Sequence, residues 1–164
     1  MAYLGSYVWR LRQLVGGELI VMPGAQVLLI DETERIYLQR RKDAPIWEIP
    51  SGTCEPGSTF EQTARNEVRE ETGLIVEAAD LVAYACISEP DVHIVTYPNG
   101  DRTHCFSISF FSRRWTGEID VEESEVLEGA FFSKSNLPGP LHPSTRLALE
   151  LYTRFTESAV FQVR

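Results

Sequence analysis

The segment from Thr59 to Thr72 constrains this chain more than any other, because its pattern reads as an α-helix that Gly73 stops. On a helical wheel of about 100° per residue, Phe60, Ala64 and Val68 form one apolar stripe. Glu67, Glu70 and Glu71 lie along one flank of that stripe, and Glu71 points closest to the apolar direction. A solvated acidic face would sit opposite the core; here one acid turns inward and two crowd beside it. Like charges at this spacing repel, and a partly buried carboxylate is costly without a partner. Arg65 and Arg69 are cations on the same helix, but they fall on the other side of the wheel. Divalent cations would equally answer the need, since Mg²⁺ and Mn²⁺ prefer carboxylate, carbonyl and water oxygens, and the helix pattern by itself leaves both answers open.

The rest of the chain must cover the apolar stripe. Residues of about 3–15 suit a short amphipathic helix, with Leu4, Val8, Leu11 and Val15 recurring and Gly16-Gly17 ending it. Leu19 to Met22 and Gln26 to Ile30 read as two strands broken by Pro23-Gly24. The turn at Asp31 to Glu34 returns the chain as a hairpin arm from Arg35 to Arg40. Trp47 to Pro50, Leu74 to Val76, Leu81 to Ser88, Val92 to Tyr97 and Thr103 to Ser112 also read as strands, the last two joined by a turn at Pro98 to Asp101. Pro143 opens a C-terminal helix of about 143–157 that carries Leu147, Leu151 and Phe155 on one face. Strands interspersed with three helices, with no repeat or linker between two halves, imply one α/β domain over residues 1–164, with a mixed β-sheet between helices.

Composition narrows the function. A net charge of −9 disfavours a nucleic-acid polymer as partner, and a small anionic substrate would need metal ions or a few placed cations. The longest apolar runs fall short of the roughly 20 residues of a membrane span. No apolar leader with a small-residue cleavage site follows Met1, so we expect a cytoplasmic protein with no membrane partner. Cys54, Cys86 and Cys105 are odd in number and lack CxxC spacing, which predicts ordinary half-buried thiols.

The stretch from Gly52 to Leu74 resembles the Nudix box, and the chain is similar to the Nudix hydrolase family over most of its length. The signature runs Gly, five residues, Glu, seven residues, Arg-Glu, an aliphatic, any residue, Glu-Glu, any residue, Gly and an aliphatic. Gly52, Glu67, Val68, Glu70, Glu71, Gly73 and Leu74 match in register; Ser58 stands where the family has its first Glu, and Asn66 where it has Arg. Trp47-Glu48-Ile49-Pro50-Ser51 looks like the family's entry into the box.

That resemblance implies an α/β/α sandwich and a metal-dependent pyrophosphohydrolase using Mg²⁺ or Mn²⁺. By similarity Glu67, Glu70 and Glu71 are metal ligands, with a backbone carbonyl near Ser51 or Gly52, and Glu70 and Glu71 belong to the catalytic set. A later glutamate is commonly a ligand or general base; Glu125 matches best by its spacing to Glu128 and Phe131, with Glu122 and Glu123 as rivals. Arg40, Arg41 and Lys42, at a strand end, are candidates to hold phosphate, and the same charges would serve equally as a solvated turn. Pro90 follows Leu74 at about the sixteen-residue offset of ADP-ribose-hydrolysing members, which favours a small nucleotide substrate of the ADP-ribose or nucleotide-sugar kind. Two alternatives stay open: a pyrophosphatase of oxidised or noncanonical nucleoside triphosphates, and an impaired domain acting as a nucleotide sensor or scaffold, suggested by Ser58 and Asn66. The family also includes dimers, so a homodimer with an interface on the N-terminal helix is a further expectation.

Overall fold

The computed structural model describes residues 5–42, 45–97, 99–121 and 126–164. Helix α1 (Tyr7–Val15) precedes strand β1 (Ile20–Leu29), which is followed by β2 (Arg35–Arg41), β3 (Trp47–Glu48) and β4 (Ser51–Thr53). Helix α2 (Phe60–Thr72) comes next, then β5 (Val82–Ile87), a short α3 (Pro90–His93), β6 (Ile94–Thr96) and β7 (Arg102–Ser112). The chain ends with β8 (Val126–Ser133), α4 (Pro143–Ser158) and β9 (Gln162–Val163).

Among the described residues the strands form two sheets. A mixed sheet runs β4-β1-β7-β5-β9 with β6 also paired to β7, and an antiparallel sheet runs β3-β2-β8. The central pair, β1 and β7, is parallel from Ile20 opposite Thr103 to Leu29 opposite Ser112. A strand buried on both faces reads as a continuous apolar run, and the Val27–Leu29 end of β1 does so. Ala25, Val27 and Leu29 join Ala64, Val68 and Leu74 in one core, while Leu28 and Ile30 join Ala148, Leu151 and Tyr152 in the other. Helix α2 therefore covers one face and α4 the opposite one, the mixed-sheet α/β arrangement expected.

Several local expectations need correction. Pro23-Gly24 does not divide β1. The Pro23 carbonyl accepts from Cys54 N at 3.0 Å, so its donor-less nitrogen faces the side where β4 ends, and the ladder to β7 loses nothing. Gly24 is needed there because a Cβ would come within 2.7 Å of the Gly52 carbonyl. Strand β2 does not continue as the hairpin partner of β1 beyond the Ile30–Ile36 bridge; it crosses to the second sheet and pairs with β8, a strand the sequence did not announce. Leu74 to Val76 is no strand and makes only a bridge from Ile75 to Thr116. Val92 and His93 belong to α3, so the strand there is only Ile94–Thr96. Trp47 packs in the α4 core, edge-on to Phe132. No helix among the described residues is long and apolar enough to cross a membrane.

Candidate active site

Helix α2 is fixed at both ends. Thr59 accepts from Gln62 N while the Gln62 side chain accepts from Thr59 N, and Gly73 takes the left-handed conformation at φ 75°. Beyond it, Asp120 N donates to the Thr72 carbonyl at 2.9 Å. Ala64 and Val68 are wholly buried against β1; Phe60, expected in the same stripe, is 38% exposed because it opens the helix beyond the sheet's reach. The register set by this burial turns Glu71 inward until it is 5% exposed.

Strand β4 meets that acidic edge. Ser51 N donates to Glu71 Oε2 at 2.9 Å, and the backbone of Gly52 lies so close to Glu67 that a Cβ there would sit 2.0 Å from Glu67 Oε1. Glu67, Glu70, Glu71 and Glu48 line one wall of a cavity of about 510 Å³, together with Ser51, Gly52 and Arg41. Burial raises the Glu67 carboxyl to about 7, with Glu70 adding to the rise and Arg41 opposing it. Glu71 rises well above the usual carboxylate range, first by burial and then through Glu67 and Glu48, while Gln39 and the Ser51 amide pull the other way.

Two buried polar side chains on β2 back this wall. Gln39 is wholly buried, with neither amide atom in hydrogen-bond geometry to any partner among the described residues, although it is near enough to Glu71 to influence its proton. The Tyr37 hydroxyl is likewise buried without a partner, over Gly129, where a Cβ would come within 2.0 Å of it.

Among the described residues no three His, Cys, Asp or Glu side chains converge into a ready-made metal cluster. The donor set nevertheless fits a hard divalent cation. Four carboxylates share one cavity wall, burial and like-charged neighbours make two of them hold protons unusually tightly, and the glycine cradle keeps Glu67 against β4. The helix arginines answer only part of the demand. Arg65 turns away to the Val76 carbonyl, Glu61 and Glu77; Arg69, contrary to the wheel, does reach Glu70 at 3.4 Å.

The remaining expected residues separate. Arg41 lines the cavity and lies 3.6 Å from Glu48. Arg40 is outside the cavity wall, paired with Glu128 at 2.8 Å and set over the Trp47 ring. Pro90 is exposed at the start of α3, and it is Val92 and His93 that line the cavity. Glu125, with Glu122 and Glu123, lies outside the described residues. Ser58 and Asn66 border a separate shallow groove with Gln62, Arg65 and Arg69 and do not touch the cavity. The sequence reading missed Glu48, Gln39 and His93. For Gln39 a signal existed: it shares the face of Tyr37 in a strand otherwise buried, where a polar residue needs a reason.

The rest of the cavity lining mixes apolar and aromatic side chains, among them Val8, Met22, Val92, Val95, Tyr97 and Cys105, with the charged Glu55 and the Arg12–Asp101 pair, and His93 there is 4% exposed. Burial, then His142 and His104, hold the His93 imidazole down at about 4, so it is neutral at pH 7.

A family model described as NUDIX domain matches residues 21–152. The chain is 32% identical over 113 residues to an ADP-ribose pyrophosphatase of Methanocaldococcus jannaschii, covering 67% of this chain and 61% of that protein. It is 44% identical over 50 residues to a putative 8-oxo-dGTP diphosphatase of Bacillus subtilis, covering 30% of this chain and 34% of that one. The chain thus spans from about a third to about three fifths of the length of these curated relatives. Among solved structures, a MutT NUDIX hydrolase from Burkholderia pseudomallei superimposes with a TM-score of 0.63 at 25% identity, covering 80% of this chain and 97% of that one. A UDP-X diphosphatase shares the fold with a TM-score of 0.67 at 18% identity, covering 96% of this chain and 73% of that one.

Proposed function

The chain belongs to the NUDIX family, and on that premise we propose that it hydrolyses the pyrophosphate bond of a nucleoside diphosphate linked to another moiety, ADP-ribose or a nucleotide sugar. One observation carries the reading: half-buried Glu67 and buried Glu71 lie side by side on the edge of α2 that walls the cavity, each raising the other's or a neighbour's hold on its proton.

Glu67, Glu70 and Glu71 would hold the divalent cation, Mg²⁺ or Mn²⁺, with Glu48 beside them, and when bound it would supply countercharge for the diphosphate oxygens and a lowered pKa for water. Arg41 steadies the distal phosphate, and its 3.6 Å contact with Glu48 keeps it on the cavity wall. Ser51 N fixes one oxygen of Glu71 and thereby aims the other. Glu70, whose side chain is 56% exposed, accepts the proton of the attacking water, with Glu125 as the alternative base. The apolar and aromatic side chains elsewhere in the lining, among them Val8, Met22 and Tyr97, take the uncharged part of the substrate, which suits a compound with a single diphosphate. The match to the M. jannaschii ADP-ribose pyrophosphatase over two thirds of the chain supports the same choice.

ADP-ribose, UDP-glucose, 8-oxo-dGTP and diadenosine tetraphosphate, assayed side by side with Mg²⁺ and with Mn²⁺, test the proposal. We expect metal-dependent release of a nucleoside monophosphate from one of the first two. Turnover of 8-oxo-dGTP with release of pyrophosphate, and of nothing else, would move the assignment to triphosphates.

A further inference from the structure

Helix α1 lies before residue 21, where the family match begins, yet it borders the same cavity as the carboxylates of α2. Ser6, Val8 and Arg12 all reach that cavity, and Val8 and Arg12 are the two buried residues of the helix. The helix is tied at both ends. At its start, Tyr7 N donates to both carboxylate oxygens of Glu55, at 3.0 and 3.2 Å, in the loop between β4 and α2. Further along, the Arg12 guanidinium donates to the carbonyls of Gly16 at 2.9 Å, Glu18 at 2.6 Å and Arg102, and stands 3.7 Å from Asp101. Arg102 and Asp101 belong to the β6–β7 hairpin, so α1 is anchored both to the loop leading into α2 and to that hairpin.

We propose that α1 is a specificity wall added to the family domain, closing the cavity around the uncharged, planar part of the substrate, a nucleobase. The chemistry of this end selects for such a group. Arg12 is 8% exposed, donates to three protein carbonyls and stands beside Asp101, so its charge is largely answered within the protein. Val8 stands in the cavity with Met22 and Val95, the neutral His93 and the Tyr97 ring, apolar and aromatic surfaces that suit a flat ring, beside an Arg12–Asp101 pair already satisfied within the protein. The inference rests on the hydrolase reading for the diphosphate end and adds the identity of what lies at the other.

Val8→Trp fills this end, and Val8→Ala enlarges it. Titration calorimetry with AMP and with ribose 5-phosphate, both in Mg²⁺, reads the consequence apart from turnover. We expect Val8→Trp to weaken AMP about tenfold or more and ribose 5-phosphate by a few-fold at most, with the loss in ADP-ribose hydrolysis falling mainly on KM. Hydrogen exchange of wild-type residues 7–15 should slow when AMP is added, and this holds the test open if Val8→Trp does not fold. Equal AMP affinity in wild type and a folded Val8→Trp, or exchange in 7–15 indifferent to AMP, overturns the role of α1 while hydrolysis stands. A wild type that neither binds AMP nor turns over any diphosphate removes both readings together.

Discussion

Glu67 sits where neutral pH divides its two protonation states, and its stability consequence has a definite sign. Its folded pKa of about 7 exceeds the ordinary 4.5, so the folded chain holds this proton more tightly than the unfolded chain does. The stability it contributes is complete below about pH 4.5 and is lost as pH rises to about 7. The thermal midpoint of metal-free protein should therefore fall more steeply between pH 5 and pH 8 in wild type than in Glu67→Gln; parallel profiles would contradict the burial argument. Gly52 gives a second test at this scale. A methyl there would collide with the tip of Glu67, a side chain that can swing aside, so Gly52→Ala should fold with a nearly unchanged midpoint. Because the displaced group is a ligand candidate, kcat/KM should drop roughly 10- to 100-fold, the scale of a misplacement of about 1 Å. The three box glutamates were legible because one helix sets their mutual angle. Glu48 and His93 were not, because β3 and α3 reach the cavity through pairings and packing that no local period encodes, while Gln39 offered only the signal of a polar residue in a largely buried strand.

Helix α2 was the most legible element, since the cap at Thr59, the 3.6 period and the stop at Gly73 all point one way. Gly73 carries two demands at once: φ of 75°, and Asp120 packed so close that a Cβ would lie 2.9 Å from its backbone nitrogen. The conformation alone costs a non-glycine residue about 1–2 kcal/mol, and the collision adds to it, so Gly73→Ala should lower the urea midpoint by more than Thr59→Ala, which removes about 1 kcal/mol of cap. Legibility failed where tertiary context decides. Pro23 is harmless because of which edge its nitrogen faces, and β8 is a strand because β2 leaves the first sheet to meet it. The two departures from the box, Ser58 and Asn66, invite the expectation of a weakened metal site, but both border a groove separate from the cavity. Asn66→Arg should accordingly change kcat by no more than about threefold at saturating Mg²⁺; a gain of about a hundredfold, some 2.7 kcal/mol, would show that the position acts on the carboxylates after all.

Across the whole molecule the two sheets and two helix layers converge on a cavity whose acidic wall adds to a net charge of −9. Self-repulsion of that kind makes the folded state a better host for divalent cations than the unfolded one, where the same carboxylates drift apart. Binding to the folded state alone stabilises by about 2.7 kcal/mol at a hundred times Kd, which for a chain of this size raises the midpoint by roughly 5 to 11 °C. The rise should grow from pH 5 to pH 8, because cations must displace the protons that burial holds on Glu67 and Glu71. Calorimetry with Mg²⁺ or Mn²⁺ at the two pH values reads both effects. The double variant Glu67→Gln, Glu71→Gln should be more stable than wild type without metal and should respond far less to its addition. An equal response from that variant would place the cation elsewhere, among surface acids, and would detach the charge of the molecule from the chemistry of the cavity.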